Sequence, residues 1–139
     1  MANKRNVTVQ MKADLEYEAR NPQGNLVKID MYDPEHKHAQ SPMDMLLSAL
    51  GSCASVDAVL MMKKKRREIV DFTVRAEGVR NDGVPAFFTD IELTFVLVSP
   101  DATEEEFAKV VALSVDKYCS VASSLKSNII YKSEVKRPE

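Results

Sequence analysis

The two cysteines of this 139-residue chain, Cys53 and Cys119, are its clearest candidates for chemistry. A thiolate is a strong nucleophile, and oxidation converts it to a sulfenic acid that condenses with a second thiol to a disulfide. If the two side chains meet in the fold, they form a candidate peroxidatic and resolving couple. Their separation of 66 positions fits neither a CxxC redox motif nor a zinc-knuckle spacing. For each cysteine the alternative is a structural role, because buried free cysteines commonly behave as small hydrophobes.

A second candidate is the pair His36 and His38, an HxH motif in the polar segment 33–40. Alternate residues of an extended segment point the same way, so the two rings could share a metal ion. No third ligand is marked, and an exposed loop is the simpler interpretation. The sequence also has no phosphate-binding glycine loop and no GxSxG elbow. We therefore predict no metal site and no cofactor.

The element that must position Cys53 is a long helix predicted over residues 41–67. Ser41 is a natural N-cap, and Pro42 stands at the first helical position, where proline is tolerated. Between residues 45 and 62 the only charged side chain is Asp57. A helix that is apolar nearly all round is normally buried inside a fold. It is interrupted by too many small polar residues for a membrane span, so we predict a central core helix without a membrane partner.

A basic run, Lys63–Arg67, follows at the end of this helix, where the helix dipole favours cations. A solvated helix end is the simpler interpretation, and a site for a phosphate or an acidic partner is the alternative.

The rest of the pattern predicts an α+β fold with antiparallel hairpins and antiparallel sheets around the long buried central helix, because strand-like alternation flanks both helical stretches. Cys119 comes at the end of the second helix, which begins at Asp101 or Thr103 with three glutamates in its first turn. The predicted strands cover residues 5–17, 26–32, 70–77, 87–98 and 128–135, with turns at 21–24 and 81–83 and a short helical turn at 120–126.

Length and composition predict one soluble domain over residues 1–139. The net charge of -2 gives no reason to expect nucleic-acid binding. The polar N-terminus shows no signal peptide, so we expect a cytoplasmic protein, where a structural disulfide is unusual. The long apolar helix is hard for a small monomer to cover, so we also predict an intertwined homodimer.

Two segments together resemble a known family. SPMDMLLSALGSC, ending at Cys53, and DKYCSVASSL, containing Cys119, are similar to motifs of the OsmC/Ohr family of thiol-dependent hydroperoxide reductases, and most similar to its OsmC-like branch. The order of the predicted elements agrees with that family from about residue 5 to residue 135. The resemblance implies an α+β fold built as an intertwined homodimer, with the cysteine helices at its centre.

The resemblance also implies a mechanism. Cys53 would attack the peroxide O–O bond, Cys119 would condense with the resulting sulfenic acid, and an external dithiol would reduce the disulfide. The expected substrate is an organic hydroperoxide, and its reduction would be part of the response to oxidative stress. Leu46 and Leu50 are candidates to line the pocket for its apolar tail.

This chain departs from the family at two positions. The family's glutamate, ten residues before the reactive cysteine, is replaced by Met43. Asp44 is the nearest acid, but in a regular helix it lies about 180° from Cys53, so it could replace the glutamate only if the helix begins later. Arg20 is the only arginine between Arg5 and Arg66 and is the candidate for the family's upstream arginine.

Two other functions are compatible with the same residues. One is a non-catalytic dimer that binds a small apolar or acidic ligand in the subunit cleft, or acts as a redox sensor. The other is a partner-binding dimer that uses the Lys63–Arg67 run.

Overall fold

Groups of consecutive strands are separated by helices, as in an α+β fold. The computed structural model describes residues 3–139, and residues 1 and 2 lie outside the described part. The elements, in chain order, are β1 (Thr8–Ala13), β2 (Glu16–Arg20), β3 (Leu26–Asp30), α1 (Pro42–Lys64), β4 (Asp71–Arg80), β5 (Phe88–Val98), α2 (Glu104–Leu113), a π-helical segment (Ser114–Tyr118), α3 (Ser120–Ser124) and β6 (Asn128–Lys136). The predicted α+β class is confirmed.

The chain divides into two compact units, Met1–Leu46 and Leu47–Glu139. The first contains the sheet β1-β2-β3, and the second contains the sheet β4-β5-β6. The helix α1 begins in the first unit and continues in the second.

The predicted strand over residues 5–17 is wrong, because a turn at Asp14 and Leu15 divides it into β1 and β2. The alternation continues across the turn, since Met11 and Tyr17 are directly opposite in the antiparallel pair. Residues that face each other across two strands lie on one face of the sheet, so a tight hairpin can read as one long strand.

The predicted turn at residues 21–24 is confirmed. The amide of Gly24 donates to the carbonyl of Asn21 at 2.9 Å, and Gly24 has a φ of 87°, in the left-handed region that glycine tolerates best. This turn joins β2 to β3, which pair antiparallel along their whole length.

In the second unit, β4 and β5 form the expected hairpin, but β6 runs parallel to β5. The prediction of purely antiparallel sheets is therefore wrong for this pair. The cause is the connection: α2, the π-helical segment and α3 return the chain across the sheet before β6 begins. Parallel strands need a crossover of this kind, usually a helical one.

The core of the second unit lies between one face of this sheet and α2. The ring of Phe72 makes edge contacts with Phe95 at 6.2 Å and with Phe107 at 6.1 Å between ring centroids. The largest fully buried apolar side chains of the molecule are Phe95, Phe107, Leu50, Met62, Ile91, Leu93, Leu97, Val110 and Val111.

The helix α1 starts as predicted, with a reciprocal cap. The Ser41 hydroxyl accepts from the Asp44 amide at 3.2 Å, and the Asp44 carboxylate accepts from the Ser41 amide at 3.3 Å. At the other end the helix stops at Lys64, and Arg66 takes a φ of 62°. In the basic run, Arg67 forms an ion pair with Glu106, at 3.0 Å between Nε and Oε2.

The single chain buries only part of α1. Leu50, Ala54, Ala58 and Met62 are buried at a spacing of about one helical turn, and Gly51 is buried beside Leu50. On another stripe Val56 is 57% exposed and Leu60 is 52% exposed. By length and composition alone α1 could cross a membrane, but core helices of soluble proteins meet the same test. The predicted central helix is therefore covered on one side and open on another.

A close approach in the β4–β5 hairpin gives a testable consequence. A Cβ added at Gly78 would lie 2.5 Å from Cδ1 and Cε1 of Phe88, whose ring is buried. We therefore expect Gly78→Ala to lower the free energy of unfolding by about 1–3 kcal/mol, the usual range for overpacking. Denaturant unfolding monitored by circular dichroism measures this, with Gly83→Ala in the hairpin loop as the control. Equal stability of Gly78→Ala and the native protein would contradict the prediction.

Candidate active site

The two cysteines are held by different elements of the second unit. Cys53 lies on α1, half-buried, with Gly51, Ser52 and Ala54 as small neighbours along the helix. Cys119 lies between the π-helical segment and α3, and only 3% of it is exposed.

The position of Cys119 follows from the way the second helical stretch begins and ends. Thr103 starts α2 with a capping box, in which Thr103 and Glu106 each bond the other's backbone amide. After α2 the helix widens to a π-helical turn over Ser114–Tyr118, a feature that is rare and often occurs at functional sites. Cys119 then leaves the helical conformation, with φ -76° and ψ 107°. Its thiol sulfur accepts a hydrogen bond from the Ala122 amide at 3.4 Å.

The structure brings the two thiols together. Cys53 and Cys119 are free, and their side chains interact as hydrogen-bond partners. Burial raises the pKa of the Cys119 thiol, the Ala122 amide lowers it, and the hydrogen bond and charge of Cys53 raise it again, so that the net shift is upward. Two reduced thiols in contact can form a disulfide without a large rearrangement of the chain.

The raised pKa predicts the pH dependence of Cys119. Its thiol should be alkylated with a midpoint above about 8.5, the ordinary thiol pKa. In the native state the proton is bound more tightly than in the unfolded chain, so this group lowers the stability only as the pH rises past about 8.5. Alkylation with iodoacetamide from pH 6 to 10, with peptide mapping of Cys119, measures the midpoint. A midpoint at or below 8.5 would contradict the assignment.

A cleft of about 260 Å³ opens beside Cys119. Apart from Cys119 it is lined by Val115, Asp116, Lys117, Ala122, Ser123 and Ile129. Cys53 is absent from this lining. Sequence reasoning missed the cleft, because its walls come from the π-helical segment, α3 and β6.

The other predicted site residues lie in local interactions of their own. The Asp44 carboxylate caps α1, which begins at Pro42. A catalytic role for Asp44 requires a helix that begins later, and the structure does not have one. The Arg20 guanidinium donates to the Gly24 carbonyl at 3.2 Å. Leu50 is fully buried as a core residue, and Leu46 is half-buried.

The two histidines of the HxH motif bind different carboxylates. His36 Nδ1 lies 2.6 Å from Asp33 Oδ1, whereas His38 Nε2 lies 3.3 Å from Glu16 Oε1. Within residues 3–139 no group of three or more histidine, cysteine, aspartate or glutamate side chains is arranged to hold a metal ion.

The ion pair between Asp30 and Lys37, near these histidines, was not predicted from the sequence. Asp30 is fully buried, and its Oδ1 lies 2.6 Å from Lys37 Nζ, while its Oδ2 accepts from the His38 amide at 2.9 Å. Burial by itself would raise the pKa of Asp30, but these bonds and the charge of Lys37 outweigh it and lower the pKa to about 2. The carboxylate ties the segment before α1 to β3. The only signal in the sequence was an acid at the end of an apolar strand.

The comparison with protein families gives one match that covers most of the chain. The model of the family described as "OsmC-like protein" matches residues 34–134. This range includes α1 and both cysteines.

Known proteins agree with this match. The protein YhfA of Escherichia coli K12 is 39% identical over 99 residues, which cover 70% of this chain and 74% of YhfA. The crystal structure of an OsmC-like protein from Mycoplasma pneumoniae superimposes with a TM-score of 0.82 at 21% identity, covering 98% of this chain and 99% of that one. The organic hydroperoxide resistance protein OhrB of Bacillus subtilis gives a TM-score of 0.63 at 17% identity, covering 96% and 98%. The two structures show a common fold.

Proposed function

The chain belongs to the OsmC-like protein family, and from this premise we propose that it is a thiol-dependent hydroperoxide reductase. In this proposal Cys53 is the peroxidatic cysteine and Cys119 is the resolving cysteine. The observation that carries it is the contact between the two free thiols in the core of the second unit.

The names of relatives add support for the substrate class. OhrB of Bacillus subtilis, which shares the fold, is named as an organic hydroperoxide resistance protein, whereas the name YhfA states no activity. An organic hydroperoxide is therefore the substrate class we propose, and Leu46 and Leu50 stay candidates for contact with its apolar tail.

The proposed chemistry has two steps on the protein. The Cys53 thiolate attacks one oxygen of the O–O bond, which breaks; Cys53 becomes a sulfenic acid, and the other oxygen leaves with a proton as the alcohol. The Cys119 sulfur then attacks the Cys53 sulfur and displaces its hydroxyl, which leaves as water when it takes up the Cys119 proton. The product is a Cys53–Cys119 disulfide, and the peroxide has been reduced by two electrons.

The proposed site departs from the family pattern in the groups that would stabilise the Cys53 thiolate. Asp44 and Arg20 enter it only as candidate counterparts of the family's glutamate and arginine, and both are held in local hydrogen bonds. A slow enzyme is therefore expected.

The proposal includes a homodimer in the cytoplasm, without nucleic acid or membrane as a partner. The exposed apolar stripe of α1, with Val56 and Leu60 more than half exposed, supports a second copy as its cover. Light scattering after gel filtration tests this, and a monomer at micromolar concentration would contradict it. The other partners are the hydroperoxide and an external dithiol reductant.

The test of the function is a single-turnover oxidation. Reduced protein is mixed with a slight excess of cumene hydroperoxide, and intact mass is followed from seconds to minutes. A loss of about two mass units within minutes, with a peptide map that joins Cys53 to Cys119, is the expected result. No change on this timescale would refute the peroxidase function, and oxygen retained on Cys53 without a disulfide would refute the role of Cys119.

One observation favours a second candidate, a slow redox sensor. The thiols meet, but the two residues proposed to activate them are engaged elsewhere in the chain. A sensor would form the same disulfide over many minutes and would not turn over with excess dithiol. The peroxidase would form the disulfide within minutes and would turn over repeatedly with excess dithiol.

A further inference from the structure

We propose that the reducing dithiol attacks the sulfur of Cys119, and that it enters through the cleft formed by Val115, Asp116, Lys117, Ala122, Ser123 and Ile129. This inference rests on the proposed function, because it concerns the step that returns the oxidised couple to its dithiol form.

In the single chain Cys53 is half-buried and Cys119 is buried, and the two differ in what surrounds them. Cys119 forms part of the wall of the cleft, and Cys53 does not. Only 3% of Cys119 is exposed, and the cleft that it helps to line is the open space beside it. The exposed apolar stripe of α1, on the helix that bears Cys53, is the surface we assign to the second subunit. In this proposal the second subunit covers the side of α1 that bears Cys53, and a dithiol from solvent enters the cleft beside Cys119.

The leaving group favours the same direction of attack. In thiol–disulfide exchange the sulfur with the lower pKa is displaced faster. Burial raises the pKa of the Cys119 thiol, so Cys119 is a poor leaving group. Attack on Cys119 instead expels Cys53 and avoids this penalty in the first exchange.

The charges of the cleft fit a small reductant. The Asp116 carboxylate accepts a hydrogen bond from the Tyr131 hydroxyl at 2.5 Å, and this bond stabilises the negative charge of Asp116. Lys117 is exposed, and its ammonium lies 5.4 Å from the centre of the Tyr118 ring. Lys117 is one of the residues that line the cleft, and its cation attracts the thiolate form of the reductant.

The reaction balances as two exchanges. One thiolate of the reductant bonds to the Cys119 sulfur, the Cys53–Cys119 bond breaks, and Cys53 leaves as a thiolate that takes up a proton. The second thiol of the reductant then attacks its own first sulfur and displaces Cys119. The reductant ends as a disulfide, and the protein recovers both thiols.

The first test finds which sulfur is attacked, with no need for peroxide. The disulfide is prepared with diamide, a general thiol oxidant, and mixed with the monothiol 2-mercaptoethanol. The reaction is stopped in acid after milliseconds to seconds, and free thiols are alkylated before peptide mapping. The expected early adduct is on Cys119, with Cys53 alkylated. An adduct first on Cys53, or failure of diamide to form the disulfide, would overturn the inference.

The second test blocks the cleft. Ser123 is exposed and lines it, whereas the neighbouring Ser124 is exposed on the same helix and does not. Ser123→Trp should slow reduction of the diamide-formed disulfide by dithiothreitol about tenfold or more, while Ser124→Trp should reduce at the native rate. Equal rates for both folded variants would refute the entry route.

The two variants also separate this inference from the proposed function. Oxidation by cumene hydroperoxide should proceed at the native rate in Ser123→Trp, because it occurs at Cys53. If hydroperoxide does not oxidise any of the proteins but Ser123→Trp still slows reduction, the function fails and the entry route stands. If oxidation is normal and reduction is equally fast in both variants, the function stands and the entry route fails.

Discussion

Replacement of Cys53 by serine is expected to abolish hydroperoxide consumption, with turnover lowered by about three orders of magnitude or more. A serine hydroxyl is not ionised near neutral pH and is a poor nucleophile toward an O–O bond, so no sulfenic acid forms. Steady-state consumption of cumene hydroperoxide with dithiothreitol as the reductant measures the effect.

The matched control is Cys119→Ser, which removes the other sulfur of the contact. This variant should still consume about one equivalent of hydroperoxide in a single turnover, and intact mass should show oxygen retained on Cys53. The two variants therefore differ in the first step, although each lacks one cysteine. Full activity of Cys53→Ser, or a Cys119→Ser protein that is inert in the first turnover, would contradict the assigned roles.

The second large effect is on stability. Phe107→Ala is expected to lower the free energy of unfolding by about 3–5 kcal/mol, the range for removing a buried aromatic side chain. Phe107 is fully buried in the core of the second unit, and its ring meets the edge of Phe72 at 6.1 Å between centroids and 87° between planes. The truncation therefore loses apolar burial and an aromatic contact and leaves a cavity.

Urea unfolding of the reduced protein measures this change, with Leu113→Ala as the control. Leu113 lies on the same helix but is 43% exposed, so its truncation should change the stability by less than about 1 kcal/mol. A typical domain has only about 5–15 kcal/mol in total, so Phe107→Ala should bring this protein close to its folding threshold. A change below about 1 kcal/mol at Phe107 would contradict the tight packing of its ring between α2 and the sheet.

The sequence by itself determined the elements whose causes are local. The cap at Ser41, the turn at Gly24 and the alternation of β4 and β5 depend on neighbours a few residues away, and each was predicted. For the start of α2 the sequence offered Asp101 or Thr103, and the structure shows a capping box at Thr103. The likeness to the OsmC/Ohr family likewise came from two continuous motifs, and the family match confirms it.

Tertiary structure decided what depends on residues distant in the chain. The parallel pairing of β6 with β5 required the path of the helical crossover, and the division of the first strand required the pairing of Met11 with Tyr17. The contact of Cys53 with Cys119 and the cleft beside Cys119 also arise only when separate elements meet. Local propensity acts within a few residues, whereas packing joins side chains at any separation, so no pattern along the chain could specify these contacts.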